Sequence, residues 1–154
     1  DKYTWVDVGS SYLPGEIIAA FLWAQIEEAG IINQRRLKLW DVYHDGLASL
    51  EWGGKVRRPM IPVECIHNAH MYYILLPNNE CRNSLISNLK EQDINAVFHY
   101  VPLHSSPAGL RFSKSNGELS ITDDIAGRLL RLPLWCGLED HQKRVIDTVI
   151  HLLS

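Results

Sequence analysis

Hydrophobic positions along this chain fall first into helix-like blocks and then into an alternation of strand-like and helix-like ones. Over residues 16–29 the side chains are apolar nearly all round, with Ile17, Ile18, Phe21, Leu22 and Trp23 leaving no polar face. A helix of that kind is normally buried on every side. In a chain of 154 residues such burial calls for a further domain or a subunit partner as its cover. Pro14 suits a first helical turn and Glu16 the positive end of the helix dipole, so a helix is expected to open there. Gly30 permits a break. A second, amphipathic helix is expected over residues 33–50, where Leu37, Trp40, Tyr43, Leu47 and Leu50 recur at helical spacing. Gly53-Gly54 ends it, and residues 55–62 form an extended stretch broken by prolines.

The second half reads as strand, helix, strand, helix, strand, helix. Residues 70–76, rich in Tyr and Ile, predict a buried strand. Asn79 is the expected N-cap of a helix running to residue 92, with Leu85, Ile86 and Leu89 inward. Residues 96–101 form the next strand and 105–120 a polar loop. A short helix follows, begun by Thr122, Asp123 and Asp124 and ended near Arg128. Residues 132–135 are the expected third strand. The last helix covers 139–153, with Val145, Ile146, Val149, Leu152 and Leu153 apolar. The fold class is α+β: two N-terminal helices, then a small sheet with helices. The expected organisation is a helical arm over residues 1–54 and an α+β domain over 55–154.

Composition narrows the function classes. Hydrophobic residues make up 46% and charged residues 21%, the balance of an ordinary soluble domain. A net charge of −3 with no basic run speaks against nucleic acid or an anionic membrane as partner. Cys65, Cys81 and Cys136 are odd in number and widely spaced, which predicts no disulfide framework and a cytoplasmic setting. The opening residues lack a signal-peptide pattern, and the apolar run 17–26 is too short to span a bilayer.

Three groups of residues carry candidate chemistry. Gly9-Ser10-Ser11-Tyr12 offers hydroxyls and free N–H groups before a helix start, where anions such as phosphate bind. Serines that only cap the helix are the bland alternative. His99, Tyr100 and His104 flank Pro102 and Pro107 at the end of a strand, where alternation puts His99 and Tyr100 on opposite faces. They could contact a sugar, a base or a phosphate, or they could be a structural histidine and a core tyrosine. Arg111, Arg128 and Arg131 are candidate partners for carboxylate or phosphate, against a reading as solvated or dipole-complementing charge. His67 and His70 with Cys65 make a poor metal site, because His-x-x-His on a strand points to opposite faces. No Ser-His-Asp set, Walker loop or GxGxxG is present, and no catalytic residue is assigned. The five tryptophans do not interleave with basic residues and read as packing anchors.

The segments Tyr3 through Tyr12, Asn68-Ala69-His70-Met71-Tyr72-Tyr73, His99-Tyr100-Val101-Pro102-Leu103-His104 and Arg128-Leu129-Leu130-Arg131-Leu132-Pro133-Leu134 together resemble the sugar-nucleotide aminotransferases of the DegT/DnrJ/EryC1/StrS family. The resemblance implies the C-terminal small domain of a pyridoxal-phosphate enzyme of fold type I, like aspartate aminotransferase. It implies pyridoxal 5'-phosphate as cofactor, a homodimer, and a large domain that holds the Schiff-base lysine before this segment. It further implies Ser11 and Tyr12 as contacts to the cofactor phosphate across the dimer, with Ser11 standing where many relatives carry Asn. His99, Tyr100 and His104 are implied to line the sugar-nucleotide pocket. The implied reaction moves an amino group from glutamate to dTDP-4-oxo-6-deoxy-glucose. Two alternatives remain open: a non-catalytic binding or dimerisation module, and a dehydratase of the same family.

Overall fold

The computed structural model describes residues 12–154, which fall in two compact units divided between Ile32 and Asn33. The first unit holds α1 (Glu16–Glu27). Gly15 is its N-cap, and the Gly15 carbonyl accepts from the Ala19 N–H at 2.9 Å. Pro14 therefore precedes the cap instead of sitting in the first turn. None of the α1 residues is buried. The break after this helix falls at Glu28, and Gly30 lies inside the first turn of α2 (Ala29–Gly46).

From Asn33 onward the chain builds one hydrophobic core. After α2, Leu47 interrupts the spiral and α3 (Ala48–Trp52) follows, so the expected single helix is two. The end of α2 lies close against the C-terminal helix: a Cβ on Gly46 would stand 2.9 Å from Ile146 Cδ1. The Gly53-Gly54 stop is observed, with Gly54 at φ +68°. β1 (Tyr72–Leu75) leads to α4 (Asn79–Glu91). Its N-cap is Asn78, not Asn79: the Asn78 side chain accepts from the Cys81 N–H at 2.8 Å. Asn79 instead donates to the Gly127 carbonyl at 2.9 Å.

β2 (Val97–Phe98) is only two residues long, so His99 and Tyr100 lie beyond the strand expected to carry them. A 3-10 turn at Leu103–Ser105 leads into the expected polar loop, which holds a short helix, α5 (Pro107–Phe112), before α6 (Ser120–Arg128). β3 (Leu129–Leu132) begins directly after α6, three residues earlier than expected. The backbone turns extended at Leu129 (φ −76°, ψ 127°). α7 (Gln142–Leu153) closes the fold. It starts after Glu139, whose carboxylate is taken up by the Gly137 N–H at 2.6 Å and the Arg35 guanidinium at 2.6 Å.

The sheet order is β1-β3-β2, antiparallel throughout. Tyr73 pairs with Arg131 and Arg131 with Val97, while Phe98 and Ile74 both pair with Leu130. Paired residues share a face and successive residues alternate. Tyr72, Ile74, Leu130 and Leu132 accordingly face the core with Trp40, Tyr43, Leu85, Leu89, Val145 and Val149. Tyr73, Arg131 and Val97 form a row on the opposite, partly covered face. Trp40 is a packing anchor, whereas Trp23, Trp52 and Trp135 are exposed; Trp5 lies outside the described residues.

Tyr43 and Tyr72 stack in this core with ring centroids 5.1 Å apart. Tyr43 also donates its hydroxyl to the Pro133 carbonyl at 2.9 Å, tying α2 to the exit of β3. Burial, helped by Tyr72, pushes the Tyr43 phenol well above its usual range, so it stays a donor at any pH the fold survives. Tyr43→Phe should cost about 1–2 kcal/mol, because the Pro133 carbonyl loses its donor. Urea denaturation of the chain and this variant measures it, and an unchanged midpoint would contradict the assignment.

Candidate functional site

Two segments meet to form the candidate site: the stretch that leaves β2 and the junction of α6 with β3. The first is stiff. Pro102 leads the 3-10 turn, and Ser106 caps α5 by accepting from the Gly109 N–H at 3.0 Å, with Pro107 in its first turn. A Cβ on Gly109 would stand 1.6 Å from the Leu103 carbonyl oxygen, so only glycine lets α5 sit this close to the turn. Between the segments lies a cavity of about 620 Å³. His99, Tyr100 and Leu103 line one side, and Ile121, Ile125 and Leu129 the other. That size and lining, mostly apolar with a few polar tips, suit a small organic ligand.

The three residues singled out in the sequence do different things here. His99 and Tyr100 rings meet edge to face at 5.4 Å and 73°, so they are neighbours and not on opposite faces. The shortness of β2 is the reason, since strand alternation stops at Phe98. His104 turns to α6, where its Nε2 lies 3.1 Å from Asp123 Oδ1 and 3.3 Å from Oδ2. Asp123 thus holds the turn as well as complementing the helix dipole. Ser11 lies outside the described residues, and Tyr12, in the other unit, is 91% exposed.

Arginines flank the same stretch. Arg82 on α4 is buried, with its guanidinium carbon 5.3 Å from the Phe98 ring centroid. Burial lowers its proton affinity from the usual arginine value. The sequence did carry a signal for it: residue 82 continues the inward series of Leu85 and Leu89 at helical spacing. Arg131 donates from Nη2 to the Phe98 carbonyl at 3.3 Å and sits 5.8 Å from the Tyr100 ring centroid. Arg128, in the last turn of α6, pairs with Asp124 at 2.6 Å. Arg111 lies over the Phe112 ring at 4.8 Å.

A second cavity, of about 820 Å³, opens by Trp40, His44, Arg57, Arg58 and His67. There Trp40 stacks on His44 at 4.7 Å, and Arg58 is held by Glu51 at 2.8 Å and by the His44 carbonyl. Among the described residues no cluster of three or more His, Cys, Asp or Glu could hold a metal ion. No helix among them is long and apolar enough to cross a membrane.

The sequence pattern of the DegT/DnrJ/EryC1/StrS aminotransferase family matches residues 1–150. The chain belongs to this family. Its aminotransferases use pyridoxal 5'-phosphate. A dTDP-3-amino-3,4,6-trideoxy-alpha-D-glucose transaminase of Micromonospora megalomicea subsp. nigra is 29% identical over 115 residues, which are 73% of this chain and 30% of that protein. GDP-perosamine synthase of Escherichia coli O157:H7 is 27% identical over 139 residues, 90% of this chain and 36% of that protein. The crystal structure of S. venezuelae DesV in complex with a ketimine intermediate matches with a TM-score of 0.81 at 29% identity, covering 100% of this chain and 40% of that one. The chain thus spans two fifths or less of each of these proteins. The DegT-family architecture agrees with the α+β small domain expected from the sequence.

In each cavity one imidazole, His99 in the first and His44 in the second, has its pKa lowered. Burial lowers the His99 pKa from 6.5, and Arg131 and His70 add to the effect. Burial and Arg58 do the same for His44. Well above pH 6.5 neither the folded nor the unfolded chain protonates these two rings, and their contribution to stability is complete. Below it the unfolded chain takes up protons that the folded rings resist, so stability falls until the pH passes the folded values. His99→Gln should remove part of that slope between pH about 7.5 and about 5.5 and leave the part due to His44. Urea titrations at the two pH values check this; an identical slope in the variant would sink it.

Proposed function

We propose that this chain is the carboxyl-terminal part of a pyridoxal-phosphate-dependent sugar-nucleotide aminotransferase. The reaction moves an amino group from glutamate to dTDP-4-oxo-6-deoxy-glucose, giving dTDP-4-amino-4,6-dideoxygalactose, in a cytoplasmic homodimer. The observation that supports this reading most is the apolar cavity edged by His99 and Tyr100, in a chain whose relatives include named sugar transaminases. In this role His99 and Tyr100 orient the sugar nucleotide, and His104, braced by Asp123, fixes the turn that walls the cavity. Ser11 and Tyr12 would contribute the phosphate contact across the dimer.

No lysine lines the His99 cavity, and Tyr12 is exposed. No chemical step is assigned to the cofactor on this chain, and the chain by itself is expected to be inactive. Within the helical arm of residues 1–54, α1 would pack on the rest of the enzyme and on the dimer partner, whereas α2 and α3 carry part of the core of residues 33–154. Phe21 and Trp23, 70% and 67% exposed, support a part of a larger enzyme over a self-contained binding module.

The test is turnover by the full-length protein with pyridoxal 5'-phosphate, glutamate and dTDP-4-oxo-6-deoxy-glucose, with the product assigned by NMR. The expected product carries an amine at C4 in the galacto configuration. A deoxygenated sugar without nitrogen would place the enzyme with the dehydratases, and absence of any sugar-nucleotide turnover would favour the binding module.

A further inference from the structure

Arg131 stands at the centre of the row Tyr73–Arg131–Val97 on the sheet face turned away from the core. One of its N–H groups reaches the Phe98 carbonyl, and its guanidinium lies over Tyr100. The Nε of Arg131 is buried and has no hydrogen-bond partner, and neither has Nδ1 of His99. Tyr100 links the two, since its ring contacts both His99 and the Arg131 guanidinium. Among the described residues no carboxylate pairs with Arg131, in contrast to Arg35, Arg58 and Arg128. The charges that act on the His99 ring, Arg131 and His70, are both basic. A partly covered arginine beside imidazoles, with orphaned nitrogens and no counter-ion, is an arrangement completed by an anion.

We propose that Arg131, with His99 and Tyr100 beside it, forms an anion-binding subsite for a phosphoryl or carboxylate group of the substrates. The guanidinium supplies a planar fork of N–H donors that matches two oxygens of such a group. His99 supplies a ring nitrogen and Tyr100 a wall. The two sources in the proposed reaction are the diphosphate of the sugar nucleotide and the carboxylates of the amino donor. The assignment deepens the proposed function and names a residue that sets where the substrate's charge lies. It also separates Arg131 from Arg128, whose Nη2 already has the Asp124 carboxylate as counter-ion.

The test titrates inorganic pyrophosphate and, separately, glutarate into the 154-residue chain while the histidine ring resonances are followed by NMR. Saturable movement of the His99 ring is expected, and the anion that produces it identifies the source, diphosphate or dicarboxylate. Arg131→Met should weaken that binding about tenfold or more, as loss of a charge-assisted contact does. Lys143→Met makes the same change in net charge beside Asp147 and should bind like the parent. The thermal midpoint of Arg131→Met is read alongside, and Arg131→Lys serves as the second variant should Met unfold the sheet. Arg131→Lys keeps the charge without the fork and should also bind more weakly than the parent. No movement of the His99 ring with either anion, or equal binding by folded parent and Arg131 variants, overturns the subsite. Failure of the aminotransferase reading looks different: pyrophosphate would still bind through Arg131, while the full-length protein would not turn over a sugar nucleotide.

Discussion

The register of β3 is the constraint on which the rest depends. This four-residue strand lies between β1 and β2 and pairs with both. Its alternation sends Leu130 and Leu132 into the core and Arg131 to the opposite face. A slip of one residue would bury Arg131 among Tyr72, Ile74 and Val149 and expose two leucines. A buried unpaired guanidinium costs several kcal/mol, so the slip is strongly resisted. The Tyr43 hydroxyl reinforces this register by holding the carbonyl of Pro133, the residue after the strand. Core packing and the placement of the candidate site are thus one decision.

That decision brings two cations to one short stretch. Arg82 meets the Phe98 ring, Arg131 meets the Phe98 carbonyl and the Tyr100 ring, and between them the backbone leaves the sheet. Pro102, the close approach at Gly109 and the His104–Asp123 pair then fix the exit path. Each contact is modest in water-facing surroundings. Their effect is geometric: a cavity wall of polar rings is held still without a long strand beneath it. Positioning of this sort is what a small domain can contribute to a reaction whose bond-making groups lie elsewhere.

Much of this was legible in the sequence, and the misses have physical causes. The inward face of Trp40, Tyr43, Leu47 and Leu50 and the helical end at Gly53-Gly54 follow from spacing and backbone freedom alone. The strand after Arg128 did not, because Leu129-Leu130-Arg131-Leu132 carries no breaker and is set by pairing with residues more than thirty positions away. β2 likewise stops at Phe98, opposite Leu130, which no local pattern reveals, so alternation predicts opposite faces for His99 and Tyr100 where their rings are in contact. α5 hides in a polar stretch where Ser106 and Pro107 are a start signal easily taken for loop. Arg82 escaped notice because a charged residue on an inward series is usually solvated, and its cover comes from Phe98 on another element. The candidate residues His99, Tyr100 and His104 were visible as residue types; their partners Arg131 and Asp123 needed the fold.

The account's central claim is that the sugar nucleotide meets the face formed by the β2 exit and the α6–β3 junction, and not the larger cavity by Trp40 and Arg58. Binding of dTDP to the methyl-labelled chain, mapped by NMR, tests it most directly. The account predicts shifts at Ile121, Ile125 and Leu129, which line the His99 cavity. Shifts confined to Met60 and Ile61, at the Trp40 cavity, would contradict it.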